Sequence, residues 1–248
     1  MKKKLITAGA VAFWLIVWEV AARLVDKSVL LASPIEVAAR LVELIPEEAF
    51  LKSVFFTAGR VLLGFFLGTA VGIAFAALAG KFAAVERLLA PLLACIKSIP
   101  VASFTILALI WISSKNLSVL IAFLIAVPVV YSNLLEGIGA LDPELREMAA
   151  IFKIPPLRRL VGIYLSQLLP YFRSAARLAI GLCWKSGVAA EVIGVPRGSI
   201  GERLYSSKIY LETADLFAWT IVVILVSLFC EKLFLLLIDL LSKRIEKM

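Results

Sequence analysis

The chain has 248 residues, of which 62% are hydrophobic and 18% charged, and its mean hydropathy is +1.01. Soluble domains are about 45–50% apolar and about a quarter charged, so this composition excludes a soluble globular protein and indicates an integral membrane protein. The net charge of +8 is reached without any histidine, which removes the commonest metal ligand and general base and argues against an enzyme.

Six apolar segments predict membrane-spanning helices, because about 20 helical residues are needed to cross the hydrocarbon core of a bilayer. They cover residues 5–24, 54–79, 88–111, 117–138, 175–194 and 216–238. The first segment could also be a signal peptide, but its apolar run is long for one and lacks a clear cleavage site, which favours a retained helix. No internal repeat or separate soluble domain is visible, so residues 1–248 are predicted to form a single all-α transmembrane domain.

Two segments near the N-terminal half carry local structural signals. Ser33 followed by Pro34 predicts a helix start, because serine accepts a free backbone N–H and proline has none to leave unsatisfied. The helix that follows is expected along the outer membrane face. In the second span, Gly64, Gly68 and Gly72 recur every four residues, and small residues at this spacing let a neighbouring helix approach closely. We therefore expect a tight helix contact there.

The distribution of lysine and arginine predicts which helix ends face the cytoplasm. With the N-terminus inside, more of these residues fall in the cytoplasmic segments than in the outer ones, which is the bias of membrane proteins. Both termini are therefore predicted to be cytoplasmic, and the basic loops account for the positive charge without nucleic acid as a partner. The cysteines, Cys95, Cys183 and Cys230, lie apart in apolar segments, so no metal site is predicted.

The longest predicted cytoplasmic loop, residues 139–174, is amphipathic and split by two prolines. Asp142 and Pro143 predict a helix start. One apolar face follows at helical spacing, formed by Leu145, Met148, Ala149 and Phe152. Pro155 and Pro156 then disfavour helical backbone before them, which predicts two short helices at an angle. The loop is either an interfacial segment whose arginines meet anionic headgroups, or a docking element for a soluble partner.

The residues of this loop also resemble a known motif. Glu147-Met148-Ala149-Ala150, followed by a turn and then Leu169-Pro170, resembles the "EAA…G…LP" loop of binding-protein-dependent ABC importer permeases. In that family the loop is a coupling helix that sits in a cleft of the cytoplasmic ATPase subunit. The resemblance implies an ATPase-coupling role for Glu147, Met148, Ala149, Ala150, Lys153, Pro155, Pro156, Arg158, Leu169 and Pro170.

Two positions of the loop depart from the family pattern. The usual turn glycine corresponds to Lys153, and the earlier Leu-Pro that often precedes the final one is Leu165-Ser166. A proline pair also forbids continuation of a helix. We therefore predict that Pro155-Pro156 takes the place of the glycine.

Segments outside the loop resemble the nitrate, sulfonate, taurine and thiamine-precursor branch of the same family. They are "SPIEVAARLVEL", "KSIPVASFTILALIW" and "WKSGVAAEVIG". The resemblance implies a type I (MetI-like) permease fold in the bacterial plasma membrane, with six spans and the coupling helix between spans four and five. It further implies ATPase subunits that bind ATP and Mg²⁺, an extracytoplasmic solute-binding protein, a second permease copy, and no cofactor on this chain. The expected solute is a sulfonate-like or nitrate-like anion or a vitamin precursor.

Polar and charged residues within the spans are candidate substrate contacts, because such groups are costly in the membrane and usually face a cavity or a partner. Lys185 lies mid-span and is predicted either to attract an anionic solute or to pair with Glu136 or Glu191. Lys97 and Glu191 could instead reach an interface along their aliphatic stems. The predicted path comprises Lys97, Ser98, Pro100, Asn133, Trp184, Lys185 and Glu191.

Two other classes of membrane protein compete with this prediction. A secondary transporter or channel is disfavoured because no inverted repeat of broken helices is visible and few carboxylates lie in the spans. An intramembrane enzyme is disfavoured because the spans hold no histidine, metal cluster or paired carboxylates. The sequence also lacks a G-x-x-x-x-G-K-[ST] phosphate loop, so ATP hydrolysis would require a separate chain.

Overall fold

The computed structural model describes residues 2–245, and every regular element in that range is helical. The helices are α1 Lys2–Val25, α2 Pro34–Leu44, α3 Glu48–Lys81, α4 Ala83–Ser98, α5 Val101–Ala108, α6 Ser114–Gly139, α7 Pro143–Ile151, α8 Pro156–Arg159, α9 Ser166–Gly194, α10 Ile200–Ile209 and α11 Thr213–Ile245. A π-helical segment, Leu160–Leu165, joins α8 to α9. The predicted cytoplasmic ends, Met1 and residues 246–248, lie outside the described residues.

Four helices are long and apolar enough to cross a membrane: Ile6–Val25 within α1, all of α3, all of α6, and Thr213–Leu240 within α11. The bent pair of α4 and α5 makes a fifth if it is counted as one span. α9 contains the predicted span 175–194 but is less apolar, with charged residues at Arg173, Arg177, Lys185 and Glu191. All-helical architecture and several membrane spans are therefore confirmed, and the number six stays a prediction.

The third predicted span, residues 88–111, is not one helix. α4 ends at Ser98, α5 begins at Val101, and the two axes differ by 98°. Ile99 and Pro100 between them have extended backbone, with φ/ψ of −72°/126° and −61°/124°. Proline disfavours the helical conformation of the residue before it and cannot donate to the preceding turn, which explains the break.

The centre of the bundle is a close contact between α3 and α6. An added Cβ at Gly64 would lie 2.3 Å from the Val119 carbonyl oxygen, and one at Gly68 would lie 2.6 Å from the Phe123 carbonyl oxygen. Only glycine fits at such separations, so the contact predicted from the glycine repeat is confirmed. α9 packs on the same pair and buries Ala176, Ala179 and Trp184.

α2 and α10 lie together at one end of the bundle, which corresponds to the predicted outer side. The start of α2 at Ser33 is confirmed: the Glu36 N–H donates to Ser33 Oγ at 3.2 Å, and the Ser33 N–H donates to Glu36 Oε2 at 2.8 Å. Arg40 of α2 is bound by both carboxylate oxygens of Asp215 at the start of α11. The Asp215 and Glu43 carboxylates raise the pKa of the Arg40 guanidinium, so this tie stays charged across physiological pH.

Candidate functional site

The loop between α6 and α9 begins with a capped helix. The Glu144 N–H donates to Asp142 Oδ1 at 2.8 Å, which confirms the helix start predicted at Asp142-Pro143. The backbone N–H of Asp142 itself donates to Gln167 Oε1 on α9 at 2.9 Å. This second bond was not predicted, because it joins residues 25 positions apart. It ties the start of α7 to the helix that enters the bundle core.

The end of α7 is set by a left-handed residue. The Ile154 N–H donates to the Ala149 carbonyl and the Phe152 N–H to the Met148 carbonyl, each at 3.0 Å. Lys153 between them has φ of 49°. This is a Schellman-type end, which normally places glycine at the left-handed position because other residues are strained there by about 1–2 kcal/mol. The prediction that Pro155-Pro156 replaces the family glycine is therefore wrong, since Lys153 itself adopts the left-handed conformation.

The helix after the turn is long and not short. As expected after the proline pair, a second helix begins at Pro156, where the missing N–H of proline is not needed. Arg159 and Ser166, which flank the π-helical segment, both keep right-handed helical backbone, so residues 156–194 form one helix with Pro170 inside it. The expected short length is wrong because the loop and the span that starts at residue 175 were taken as separate elements.

The tip of α7 exposes apolar side chains. Ile151 is 76% and Phe152 is 73% exposed, whereas Ala149 is buried. The face predicted from Leu145, Met148, Ala149 and Phe152 is therefore buried only at Ala149. Apolar patches of this kind commonly mark interaction sites. Helical spacing shows only that Phe152 shares a face with Ala149, so the exposure of Phe152 could not be predicted from the sequence.

Most of the other predicted coupling residues are accessible around this tip. Glu147, Lys153, Pro155, Pro156 and Arg158 are all exposed. Leu169 is half-buried and Pro170 exposed further along α9, and Ala150 lies in α7 with its side chain outside the described part. Arg159, which was not singled out, donates to the Tyr164 hydroxyl at 2.6 Å. The loop thus forms a small folded projection from the end of the bundle.

Lys97 of the predicted substrate path borders a cavity of about 250 Å³ between α4, α5, α6 and α9. Its Nζ donates to Ser132 Oγ on α6 at 2.8 Å. The remaining wall is apolar and is formed by Ile96, Ile99, Val101, Phe104, Ile121, Leu124, Ile125, Pro128, Val129 and Leu182. A single ammonium group therefore stands at the edge of an apolar space.

Four other residues of the predicted path are not gathered around one opening. Ser98 Oγ donates to the Ala94 carbonyl and Asn133 Nδ2 to the Val129 carbonyl, at 2.8 Å and 2.9 Å, each within its own helix. Pro100 forms the break between α4 and α5. Trp184 is almost completely buried and borders the cleft of Lys185, whereas Ser98, Pro100 and Asn133 line neither that cleft nor the cavity at Lys97.

Glu191 is buried within the bundle and joins three helices. Thr57 Oγ1 of α3 donates to Glu191 Oε2 at 2.7 Å, and the same hydroxyl accepts the Ile200 N–H of α10 at 2.9 Å. The Gly201 N–H also donates to Glu191 Oε2, at 3.4 Å. The interpretation that Glu191 reaches a membrane interface is therefore wrong. It was made because sequence spacing does not reveal that α10 folds back over the end of α9.

Lys185 lies in a separate cleft of about 620 Å³ between α9 and α11. Its side chain is exposed, and it forms no ion pair with Glu136, Glu191 or another carboxylate within residues 2–245. The pairing alternatives are therefore not what this structure shows. Leu182 of α9 lines both this cleft and the cavity at Lys97. The ammonium groups of Lys97 and Lys185 therefore lie in two spaces that share Leu182 as a wall.

Comparison with known proteins gives a family match. The sequence profile described as "Binding-protein-dependent transport system inner membrane component" matches residues 68–247, well over half of the chain. The matched segment contains α7, the turn at Lys153 and both clefts. The profile match therefore covers all the candidate site residues described above.

Individual relatives are similar over much of the chain. The putative aliphatic sulfonates transport permease protein of Bacillus subtilis is 27% identical over 223 residues, covering 90% of this chain and 79% of that protein. The bicarbonate transport system permease protein of Synechococcus elongatus is 27% identical over 135 residues, 54% of this chain and 49% of its own length. The nitrate import permease protein of the same organism is 24% identical, covering 56% and 50%.

Proposed function

The chain belongs to the family of binding-protein-dependent transport system inner membrane components, and from this we propose that it forms half of the translocation path of an ATP-driven importer. It is an ABC importer permease of the nitrate and sulfonate branch, which makes it a transport subunit and not an enzyme. We propose six crossings by α1, α3, the α4–α5 pair, α6, α9 and α11, with both termini in the cytoplasm.

The projection formed by α7 carries this proposal. It sits at the opposite end of the bundle from α2 and α10, and its tip presents Ile151 and Phe152 to solvent. Burying one such side chain in a partner groove stabilises a complex by about 1.5–3 kcal/mol. We propose that the partner is a cytoplasmic ATPase subunit and that α7 is the coupling helix. ATP and Mg²⁺ would bind to that partner, and this chain would bind no cofactor.

The helix that follows the tip supports a mechanism for coupling. A displacement of α7 acts on residues 156–194 as a single helix, because no loop separates the turn at Lys153 from the buried part of α9. The bond between the Asp142 N–H and Gln167 fixes α7 to the same helix from its other end. Movement of the ATPase would therefore reach Trp184 and Glu191 without an intervening flexible joint.

We propose that a second copy of the chain completes the path, because a dimer with two-fold symmetry is the simplest closed assembly of two half paths. The outer face built from α2 and α10 is then available for an extracytoplasmic solute-binding protein. The names of the relatives, which specify sulfonate, bicarbonate and nitrate transport, support a small anion as the solute.

Two matched substitutions test the coupling assignment. Phe152 and Tyr210 are both 73% exposed but lie at opposite ends of the bundle. Phe152→Asp should abolish co-purification of the ATPase and ATP-driven uptake in proteoliposomes, while Tyr210→Asp should leave ATPase association unchanged. Equal retention of the ATPase by both variants would overturn the proposed role of α7.

The same positions test the orientation. A cysteine introduced at Tyr210 should react with a membrane-impermeant thiol reagent added outside. A cysteine introduced at Phe152 should react only when the reagent is added inside. The opposite pattern would reject both the cytoplasmic termini and the coupling assignment. Uptake that proceeds without any ATPase would favour a secondary transporter or channel instead.

A further inference from the structure

α9 and α11 face each other across a groove that carries charged residues far into the bundle. On α9, Arg173 and Arg177 are four residues apart and share one side of the helix. Lys185 lies eight residues beyond Arg177, and these two residues line the same cleft. On α11, Glu231 and Asp239 are eight residues apart and also share one side. The lower part of the groove forms one cleft with Arg173 and Asp239, and the upper part is the cleft of Lys185.

Both arginines of the groove are paired, whereas its two lysines are not. Arg173 Nε and Nη2 donate to the two oxygens of Asp239 at 2.7 Å and 3.1 Å. Arg177 Nε donates to Glu231 Oε1 at 3.0 Å. Lys185 in the upper cleft and Lys232 in the lower cleft have no hydrogen-bond or ion-pair partner in the part of the chain that the structure describes. Lys185 lies about 18 Å above Arg173 along the helix axis. The upper end of the groove therefore carries an uncompensated positive charge.

This groove is a poor surface for lipid. Glu231 lies nine residues before Leu240, the end of the apolar part of α11, which is about 13 Å along the axis. The paired side chain of Arg177 is 68% exposed on the surface of the single chain. Charged groups at such depth almost always face water or protein. The groove walls also include Ser174, Gly181 and Ser227, which are small or polar.

We propose that the groove between α9 and α11 is a water-filled anion site, with Lys185 as the free cationic contact of its upper cleft and the Arg177–Glu231 pair beneath it. This inference rests on the proposed importer function and places the proposed small-anion solute in this groove. An anion at Lys185 gains attraction from the ammonium. Glu231 keeps Arg177 partly neutralised, and the ammonium of Lys232 in the lower cleft offers the anion a second contact on its way toward the cytoplasm.

Charged thiol reagents at Ser227 test the proposal. Ser227 lines the same cleft as Lys185, whereas Leu225 is 59% exposed on another side of α11 and lines neither cleft. Each would be changed to cysteine in the full transporter complex, in a chain whose three native cysteines are replaced. The reagents are the anionic ethylsulfonate and the cationic trimethylammonium methanethiosulfonates, used in bilayer discs of phosphatidylcholine.

Three results are expected. Cysteine at position 227 reacts and cysteine at 225 does not. Lys185→Met lowers the ratio of anionic to cationic reaction rates at position 227 by about threefold to tenfold, while Lys97→Met on the other side of Leu182 leaves it unchanged. Ethanesulfonate or nitrate slows the reaction at position 227, with less effect in Lys185→Met.

Other outcomes would overturn the proposal. No reaction at position 227, or equal reaction at 225, would mean that there is no separate aqueous groove. Slowing by anionic phosphatidylglycerol in the discs, with no effect of ethanesulfonate or nitrate, would assign the groove to a lipid headgroup. Retention of the ATPase is measured in parallel. If the thiol reactions contradict the groove but the ATPase is retained normally, only this anion site is rejected. If the unmodified protein does not retain the ATPase, the proposed function is rejected.

Discussion

The two ends of the bundle are held in different ways. At the α10 end, side chains from α3 and α9 are bonded to backbone groups of α10, and α2 is tied to α11 by Arg40 and Asp215. At the α7 end, the projection is held mainly by its own turn and by the Asp142–Gln167 bond, while its tip stays exposed. The α10 end is therefore held by several bonds between helices, whereas the α7 end is held by few and presents a tip that a partner can cover.

This difference predicts that substitutions at one end change the stability of the fold, whereas substitutions at the other end change coupling to a partner. Substitutions at the α10 end remove contacts that the folded chain itself makes, so they should lower the free energy of unfolding. Substitutions at the α7 tip remove side chains that touch little within the chain, so they should act on a partner and leave folding intact. The predictions below test this separation.

The largest effect is expected for Gly201→Ala. An added Cβ would lie 2.3 Å from Glu191 Cβ and 2.5 Å from the Glu191 carbonyl carbon, so α10 could not remain packed against α9 at its present distance. We expect the free energy of unfolding to fall by about 3 kcal/mol or more. Thermal unfolding of the purified protein measures it. Gly162→Ala is the matched control, because a Cβ there meets nothing within 4 Å. Similar unfolding temperatures for both variants would contradict the close packing of α10.

The second prediction concerns the other end. Glu147 is exposed on α7, so Glu147→Lys should leave the unfolding temperature unchanged. If Glu147 is desolvated against a polar or basic group of the ATPase, its loss should weaken the complex by about 2–5 kcal/mol. Co-purification of the ATPase and transport-linked hydrolysis in vesicles measure this. Wild-type values for both would show that α7 is an interfacial helix and not a coupling element.

A third and smaller effect is expected at Thr57. Thr57→Val keeps the shape of the side chain but removes the donor to Glu191 and the acceptor for the Ile200 N–H. Leaving these buried groups without a partner should cost about 1–3 kcal/mol of stability. Thr220→Val is the control, since Thr220 bonds only to its own helix on the exposed side of α11. Equal unfolding temperatures for both variants would contradict the stabilising role of the Thr57 bonds at the α10 end.

The smallest effect is expected at the turn after α7. Lys153 has φ of 49°, which glycine adopts without strain. Lys153→Gly should stabilise the end of α7 by about 1 kcal/mol, and Lys153→Val should destabilise it. Hydrogen exchange of the Ile154 amide, which is bonded to the Ala149 carbonyl, reports this change directly. Faster exchange in Lys153→Gly would contradict the strain assigned to this residue.

Features encoded by neighbouring residues could be predicted from the sequence. The helix starts at Ser33 and Asp142 depend on a few adjacent positions, and the α3–α6 contact depends on the repeat from Gly64. The break at Pro100 could also have been predicted from the sequence, because a proline restricts the backbone of the residue before it. It was missed because the apolar run continues through the proline.

Features that depend on distant residues could not be predicted. Thr57 and Glu191 meet 134 positions apart, and Arg173 and Asp239 meet 66 positions apart. Periodicity assigns each residue to a side of its own helix but does not say which helix faces it. For the same reason the helical spacing of Phe152 did not show that its side chain lies at the exposed tip.

The continuity of residues 156–194 restricts how the length of this chain can vary among relatives. One residue inserted within an α-helix turns everything beyond it by about 100° and shifts it by about 1.5 Å. Between the turn at Lys153 and the bond of Glu191, such an insertion would rotate the α7 tip away from its partner or Glu191 away from Thr57. The π-helical segment Leu160–Leu165 is the one place where an extra residue is already accommodated, as π-bulges do elsewhere. Length changes in this family should therefore fall outside residues 156–191, and the spacing between the coupling tip and the buried carboxylate should be kept.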